Sequence, residues 1–130
     1  MTTLFSVALG GAVGAASRHL VGGWLGGWLT GLFGGSLPLG NVAVNLIGSF
    51  LLGVLIEFSA LSWSPSPDMR SFLVIGLLGG FTTFSAFSLE VVVLFERGRL
   101  DLAALYAIGS VVLAIGGLFI GMKLMRAVLA

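Results

Sequence analysis

The chain has 130 residues, of which 58% are hydrophobic and only 8% are charged, and its formal net charge is +1. This composition leaves too little polar surface for a water-soluble protein, so it predicts an all-α membrane protein with a single domain over residues 1–130. The near-neutral charge argues against a nucleic-acid partner, and the absence of cysteine excludes disulfides and thiolate metal sites.

The first apolar segment, residues 3–21, is long enough for a membrane-spanning helix, which needs about 20 residues. It lacks a basic region at its start, so we interpret it as a span and not as a signal peptide. Gly10 and Gly14 lie on one face and would allow a second helix to approach closely. Arg18 and His19 are expected at the far end, where Arg18 is either an interfacial anchor or a cation at a pore mouth.

Residues 22–38 differ in composition from the first segment. They are rich in Gly and Trp, carry no charge and include Trp24 and Trp28. Since Trp favours the membrane–water interface, this stretch predicts an interfacial turn or a short reentrant helix, and not a span.

The second span is predicted over residues 40–60, where small and polar residues recur at four-residue steps along one face. The two glycines of this stripe favour close packing between helices. An amide at membrane depth needs several hydrogen-bond partners, so both packing and pore lining remain open for Asn45. The stripe consists of Asn45, Ser49, Gly53 and Glu57, with Gly48 beside them.

A Trp- and Pro-containing turn over residues 62–68 leads to a third apolar segment, residues 69–95. As one straight helix this segment would be about 40 Å long, which exceeds a bilayer core of about 30 Å. A break at residues 79–83 would resolve the excess. Glu90 lies beyond that break, and a carboxylate in a membrane segment indicates either a functional site or a hydrogen bond to a neighbouring helix.

The predicted break has a composition that disfavours a helix interior. Gly79 and Gly80 are followed by two threonines, whose hydroxyls compete for backbone hydrogen bonds. Carbonyls freed by a break cannot be satisfied by lipid, so such a break is stable only where it is buried in protein or lines a cavity. The helix that restarts places Phe84 and Phe87 on one face. We therefore predict an ion site at this position.

The fourth span is predicted over residues 102–122, after a charged loop at residues 96–101. Tyr106, Ser110, Gly117 and Gly121 share one of its faces, and the two glycines form a close-packing motif.

The basic residues are balanced between the two sides that four spans would create, with three on each side. The positive-inside rule then gives no preferred orientation, which is typical of a protein that inserts in both directions and forms an antiparallel dimer. The two groups are Arg70, Lys123 and Arg126 on one side, and Arg18, Arg97 and Arg99 on the other.

The polar residues at membrane depth do not form a catalytic arrangement, so the sequence predicts no enzyme. They are mostly neutral hydrogen-bond donors, and the Phe rings carry a positive edge. Neutral donors and ring edges can replace part of an anion's water without trapping the anion. Backbone carbonyls at the break would instead suit a small hard cation.

Three motifs resemble the Fluc (CrcB-like) fluoride channels over the whole chain. The most specific is residues 79–88, GGFTTFSAFS, followed by Glu90; residues 40–50, GNVAVNLIGSF, and residues 10–18, GGAVGAASR, support it. The sequence departs from the family pattern at Ala86, where a threonine is common, and at Ala114, where some members carry a hydroxyl. These departures predict a shorter polar track.

The resemblance implies four transmembrane helices with a broken third helix, assembled as an antiparallel dual-topology homodimer with two fluoride pores in the cytoplasmic membrane. It also implies a structural Na⁺ held by the backbone carbonyls of Gly79 and Thr82. The positions that match the family's pore and vestibule residues are Phe84, Phe87, Asn45, Ser110, Thr83, Tyr106, Arg18 and Glu90.

Two other functions are alternatives to a fluoride channel. A small multidrug-type proton-coupled exporter also has four spans and dual topology, but members of that class resemble each other in a carboxylate buried in the first helix. The first segment here has no acidic residue, which disfavours the exporter. A packing or assembly protein without transport activity is the second alternative, and an efflux assay in liposomes separates all three.

Overall fold

The computed structural model describes residues 1–130 and contains four long helices and no strands. All four are long and apolar enough to cross a membrane, which confirms the prediction of an all-α, multi-pass membrane protein. Their bounds are Thr2–Phe33 (α1), Leu39–Leu61 (α2), Pro67–Glu96 (α3) and Leu100–Leu129 (α4).

α3 is the only one of the four that is interrupted, as the sequence predicted. Its first part consists of an α-helical turn Pro67–Arg70, a π-helix Ser71–Leu78 and a further turn Gly79–Phe81. Residues 82–84 lie outside the helices, and an α-helix then resumes over Ser85–Glu96. The π-helix was not predicted, because its apolar sequence has no feature that separates it from an α-helix.

The prediction for residues 22–38 was wrong, because α1 continues without interruption to Phe33. At 1.5 Å per residue its 32 residues extend about 48 Å, well beyond a bilayer core. Gly22 and Gly26 serve close packing against α2, and the glycines of this stretch do not end the helix. A Cβ on Gly26 would lie 3.2 Å from the Cα of Gly40 at the start of α2, and a Cβ on Gly40 would lie 2.5 Å from the Gly22 carbonyl.

The continuous α1 also corrects the position of Arg18. This residue lies near the middle of a 32-residue helix and not at the end of a span. Without Arg18, the basic residues outside the membrane core number three at one end of the molecule and two at the other. The balance between the two ends therefore remains close, and dual topology stays a prediction.

Glycine contacts pack the helices in two pairs; close packing at these glycines was predicted, whereas the pairing was not. α1 packs against the first part of α3, where a Cβ on Gly10 or Gly14 would collide with the carbonyl of Phe72 or Leu77. α2 packs against α4, where a Cβ on Gly53 would collide with the Leu118 carbonyl. Such close approach of backbones replaces the hydrophobic driving force that is missing in lipid.

An ion pair joins α2 and α4 at the end of the molecule that contains the C-terminus. Arg126 Nε donates to Glu57 Oε1 at 2.7 Å, and the Glu57 side chain is only 6% exposed. Glu57 therefore belongs to helix packing, while Asn45, on the same stripe three turns earlier, lies beside the break in α3.

Candidate functional site

The break in α3 begins later than the sequence predicted. Residues 79–81 are helical, and the backbone becomes extended at Thr82, with φ −81° and ψ 159°. The correction has a packing explanation: a Cβ on Gly80 would lie 2.9 Å from the Gly11 carbonyl, so glycine is required here for contact with α1. The helix ends at the two threonines, whose low helix propensity was part of the prediction.

Asn45 of α2 takes over the hydrogen bonds that the break removes from the helix. Its Nδ2 donates to the Thr83 carbonyl at 2.9 Å, and the Thr83 amide donates to its Oδ1 at 2.7 Å. In a continuing α-helix the Thr83 amide would donate to Gly79, so this exchange leaves the Gly79 carbonyl without that partner. The Thr83 hydroxyl accepts from the Ala86 amide at 3.2 Å and caps the second part of α3.

A cavity of about 270 Å³ lies beside the break, between α2, α3 and α4. Ser110 lines it, and its buried hydroxyl lies close to the Tyr106 hydroxyl but makes no hydrogen bond of normal distance and angle. The rings of Phe84 and Phe87 also line it, with centroids 5.2 Å apart and planes inclined by 45°. Phe84 is 75% exposed, whereas Phe87 packs against Tyr106 at 5.7 Å. The cavity thus combines a buried hydroxyl with two aromatic rings and has no charged side chain.

Glu90 is held one helical turn beyond Phe87 and outside this cavity. Asn41 Nδ2 donates to its Oε1 at 2.5 Å, and the Tyr106 hydroxyl donates to its Oε2. Both alternatives considered for Glu90 therefore stay open, because it is bonded to neighbouring helices and also lines two further cavities. Asn41 was missed by sequence reasoning, although its position one turn before Asn45 in an apolar helix could have indicated it.

Arg18 contacts the break from α1. Its Nη1 lies 3.5 Å from the Thr82 carbonyl, a long hydrogen bond to a backbone group that has left the helix. A guanidinium near the middle of α1 thus faces the region where the α3 carbonyls are freed.

The predicted site residues fall into two groups. Seven of the ten line the cavity beside the break. The other three lie outside it: Arg18 contacts Thr82, Tyr106 packs against Phe87, and Glu90 is bonded to Tyr106. The lining residues are Gly79, Thr82, Asn45, Thr83, Phe84, Phe87 and Ser110; the outer residues are Tyr106, Arg18 and Glu90.

Comparison with known proteins gives a consistent result over nearly the whole chain. Residues 5–122 match the model of the family described as CrcB-like protein, Camphor Resistance (CrcB). A fluoride-specific ion channel FluC from Agrobacterium fabrum is 49% identical over 97% of this chain and 98% of the relative. One from Rhodospirillum centenum is 47% identical over 100% of both chains, and FluC 2 from Nitrobacter hamburgensis is 46% identical over 92% of this chain and 94% of the relative.

Proposed function

The chain belongs to the CrcB-like protein family, and from this membership and the cavity beside the α3 break we propose that it is a fluoride channel. The observation that carries the proposal is the buried, unpartnered hydroxyl of Ser110 in a cavity that also presents Phe84 and Phe87. A buried donor without a partner costs free energy, and an anion in the cavity would remove that cost. The activity is passive conduction across the cytoplasmic membrane, without catalysis.

The cavity has the chemistry that conduction of a small anion requires. The Ser110 hydroxyl supplies a donor, and the Asn45 amide has one N–H left after its bond to Thr83. The ring edges of Phe84 and Phe87 supply weak positive charge without a formal cation that would hold the ion. Weak, successive interactions of this kind allow an ion to enter and also to leave.

We also infer that two chains assemble as an antiparallel homodimer with two pores. The 270 Å³ cavity is open in one chain, and Phe84, which lines it, is 75% exposed. Polar groups freed at membrane depth need cover by protein, and a second copy of the chain would supply that cover.

The carbonyls of the break fit a small cation such as Na⁺. The Gly79 carbonyl accepts no hydrogen bond from the Thr83 amide, which donates to Asn45. The Thr82 carbonyl accepts only the long hydrogen bond from Arg18 at 3.5 Å. Both residues line the cavity, and oxygen ligands are what hard cations prefer. Na⁺ would add positive charge beside the anion path.

Crystals of the purified protein test the Na⁺ site. Thr82→Ser keeps the carbonyl and should keep the ion, whereas an alanine inserted between Gly80 and Phe81 should lose it. A water in place of the ion would contradict the Na⁺ site and leave the fluoride pores unaffected.

Fluoride release from liposomes tests the main proposal. Vesicles that contain the purified protein are loaded with potassium fluoride, and a fluoride electrode records efflux after valinomycin is added. We expect rapid release of fluoride and none of chloride in the matched experiment. Release at the rate of protein-free vesicles would contradict the proposed function.

A further inference from the structure

We propose that Arg97 recruits fluoride to the pore mouth; this inference rests on the proposed channel function. Arg97 follows the last residue of α3 and lines a cavity of about 350 Å³ at the end of the molecule where α3 leads into α4. Thr30 of α1 and Ser36 of the α1–α2 loop line the same cavity. These polar side chains and the exposed Arg97 make the cavity a suitable entrance for a hydrated ion.

The same cavity is lined by an acidic side chain, Glu90. Glu90 accepts hydrogen bonds from Asn41 and Tyr106. Glu90 is one turn from Phe87, which lines the cavity beside the break. Its carboxylate would repel an anion that moved from this cavity towards Phe87.

Arg97 is placed to offset that repulsion. Arg97 comes seven residues after Glu90, which is about two helical turns. The backbones of the two residues are therefore about 10 Å apart along the helix axis. Glu90, Leu94 and Arg97 all line the cavity, and Arg97 is exposed whereas Glu90 is half-buried, so the positive charge lies nearer the outside. A charge of one sign at the mouth of a low-dielectric cavity raises the local concentration of the opposite ion.

Arg97 is free to act on a passing anion because it has no acidic partner. The salt bridges of the chain are Arg99–Asp101 at 3.3 Å and Arg126–Glu57 at 2.7 Å. Arg99 is two residues from Arg97 and has the same charge, but it is paired with Asp101 and does not line the cavity. This pair of arginines provides a matched control, since only Arg97 should contribute to ion entry.

Single-channel currents in planar bilayers test the inference with Arg97→Gln, Arg97→Lys and Arg99→Gln beside the unaltered protein. At low fluoride and low ionic strength, Arg97→Gln should reduce conductance by about two- to tenfold, as expected for one charge at this distance. Addition of an impermeant salt should shrink that difference because it screens the charge. Arg97→Lys and Arg99→Gln should conduct like the unaltered protein.

The inference is overturned if Arg97→Gln conducts like the unaltered protein at every fluoride concentration, or if Arg99→Gln loses as much conductance. A deficit that does not change with ionic strength also overturns it, because a defect in folding or pore shape would behave in that way. Absence of fluoride current from the unaltered protein would instead refute the proposed function itself, and with it this role of Arg97.

Discussion

Asn45 and Thr83 exchange two hydrogen bonds across the break: the amide nitrogen donates to the carbonyl at 2.9 Å, and the backbone amide donates to the side-chain oxygen at 2.7 Å. One side chain of α2 thus satisfies both backbone groups of a residue that has left the α3 helix. Since lipid offers neither donor nor acceptor, this pair fixes the conformation in which the break can exist.

The first prediction follows from that pair. Asn45→Asp keeps the acceptor but removes the donor, which leaves the buried Thr83 carbonyl unsatisfied at a cost of about 1–3 kcal/mol. It also adds a negative charge to an anion path. Fluoride efflux should fall by about tenfold or more, because the added charge repels fluoride in the cavity and because the break loses its fixed conformation. Efflux and thermal stability both equal to those of the unaltered protein would show that the two hydrogen bonds are not needed.

The second prediction concerns the aromatic rings. Phe84→Ile and Phe87→Ile retain apolar bulk but remove the ring edges, so each should strongly slow fluoride efflux while the dimer remains intact on size exclusion. Phe95→Ile is the matched control, because Phe95 is on the same part of α3, is 58% exposed and does not line the cavity. Normal efflux in both cavity variants would remove the rings from the pore.

The third prediction tests the contact between α2 and the break. A Cβ on Gly48 would collide with the Thr82 methyl group and come within 3.1 Å of the Phe81 ring. Gly48→Ala should therefore lower the free energy of unfolding by about 1–3 kcal/mol and shift the break. Gly109→Ala should leave it equal or slightly higher, because a Cβ there meets nothing within 4 Å and alanine favours helix. Thermal unfolding in detergent measures both; equal midpoints would contradict the contact.

The fourth prediction concerns insertion in the membrane. The chain has no cysteine, so Glu96→Cys introduces a single thiol at the α3–α4 loop. Because the basic residues are nearly balanced between the two ends, we expect an impermeant maleimide to label this thiol from both sides of the cell membrane. Labelling from one side only would rule out dual topology and the antiparallel dimer.

The parts of the fold that follow local chemistry could be predicted from the sequence. Four apolar stretches gave the spans, and the glycine pairs gave the packed faces of α1, α2 and α4. The extent of α1 could not be predicted, because the Gly- and Trp-rich residues 22–33 favour a turn when the chain is considered alone. In the folded chain these residues form a helix that packs closely against Gly40 of α2. This contact joins residues that are distant in the sequence.

The candidate site could be predicted in its residue types and less well in its geometry. The two glycines and the two threonines predicted the break, but both glycines are helical, and Gly80 is in close contact with Gly11 of α1. The partners of Glu90 and Glu57 also come from other helices, and no spacing within one segment reveals them. Long-range hydrogen bonds of this kind decide which polar residue faces the cavity and which one holds two helices together.

The reversal potential of single channels tests the central claim, that the cavity beside the break conducts fluoride selectively. With a tenfold fluoride gradient across a planar bilayer and equal chloride on both sides, a fluoride-selective pore should reverse about 59 mV from zero, at the fluoride equilibrium potential. We predict this value for the unaltered protein. A reversal near zero, or currents carried equally by chloride, would contradict the account.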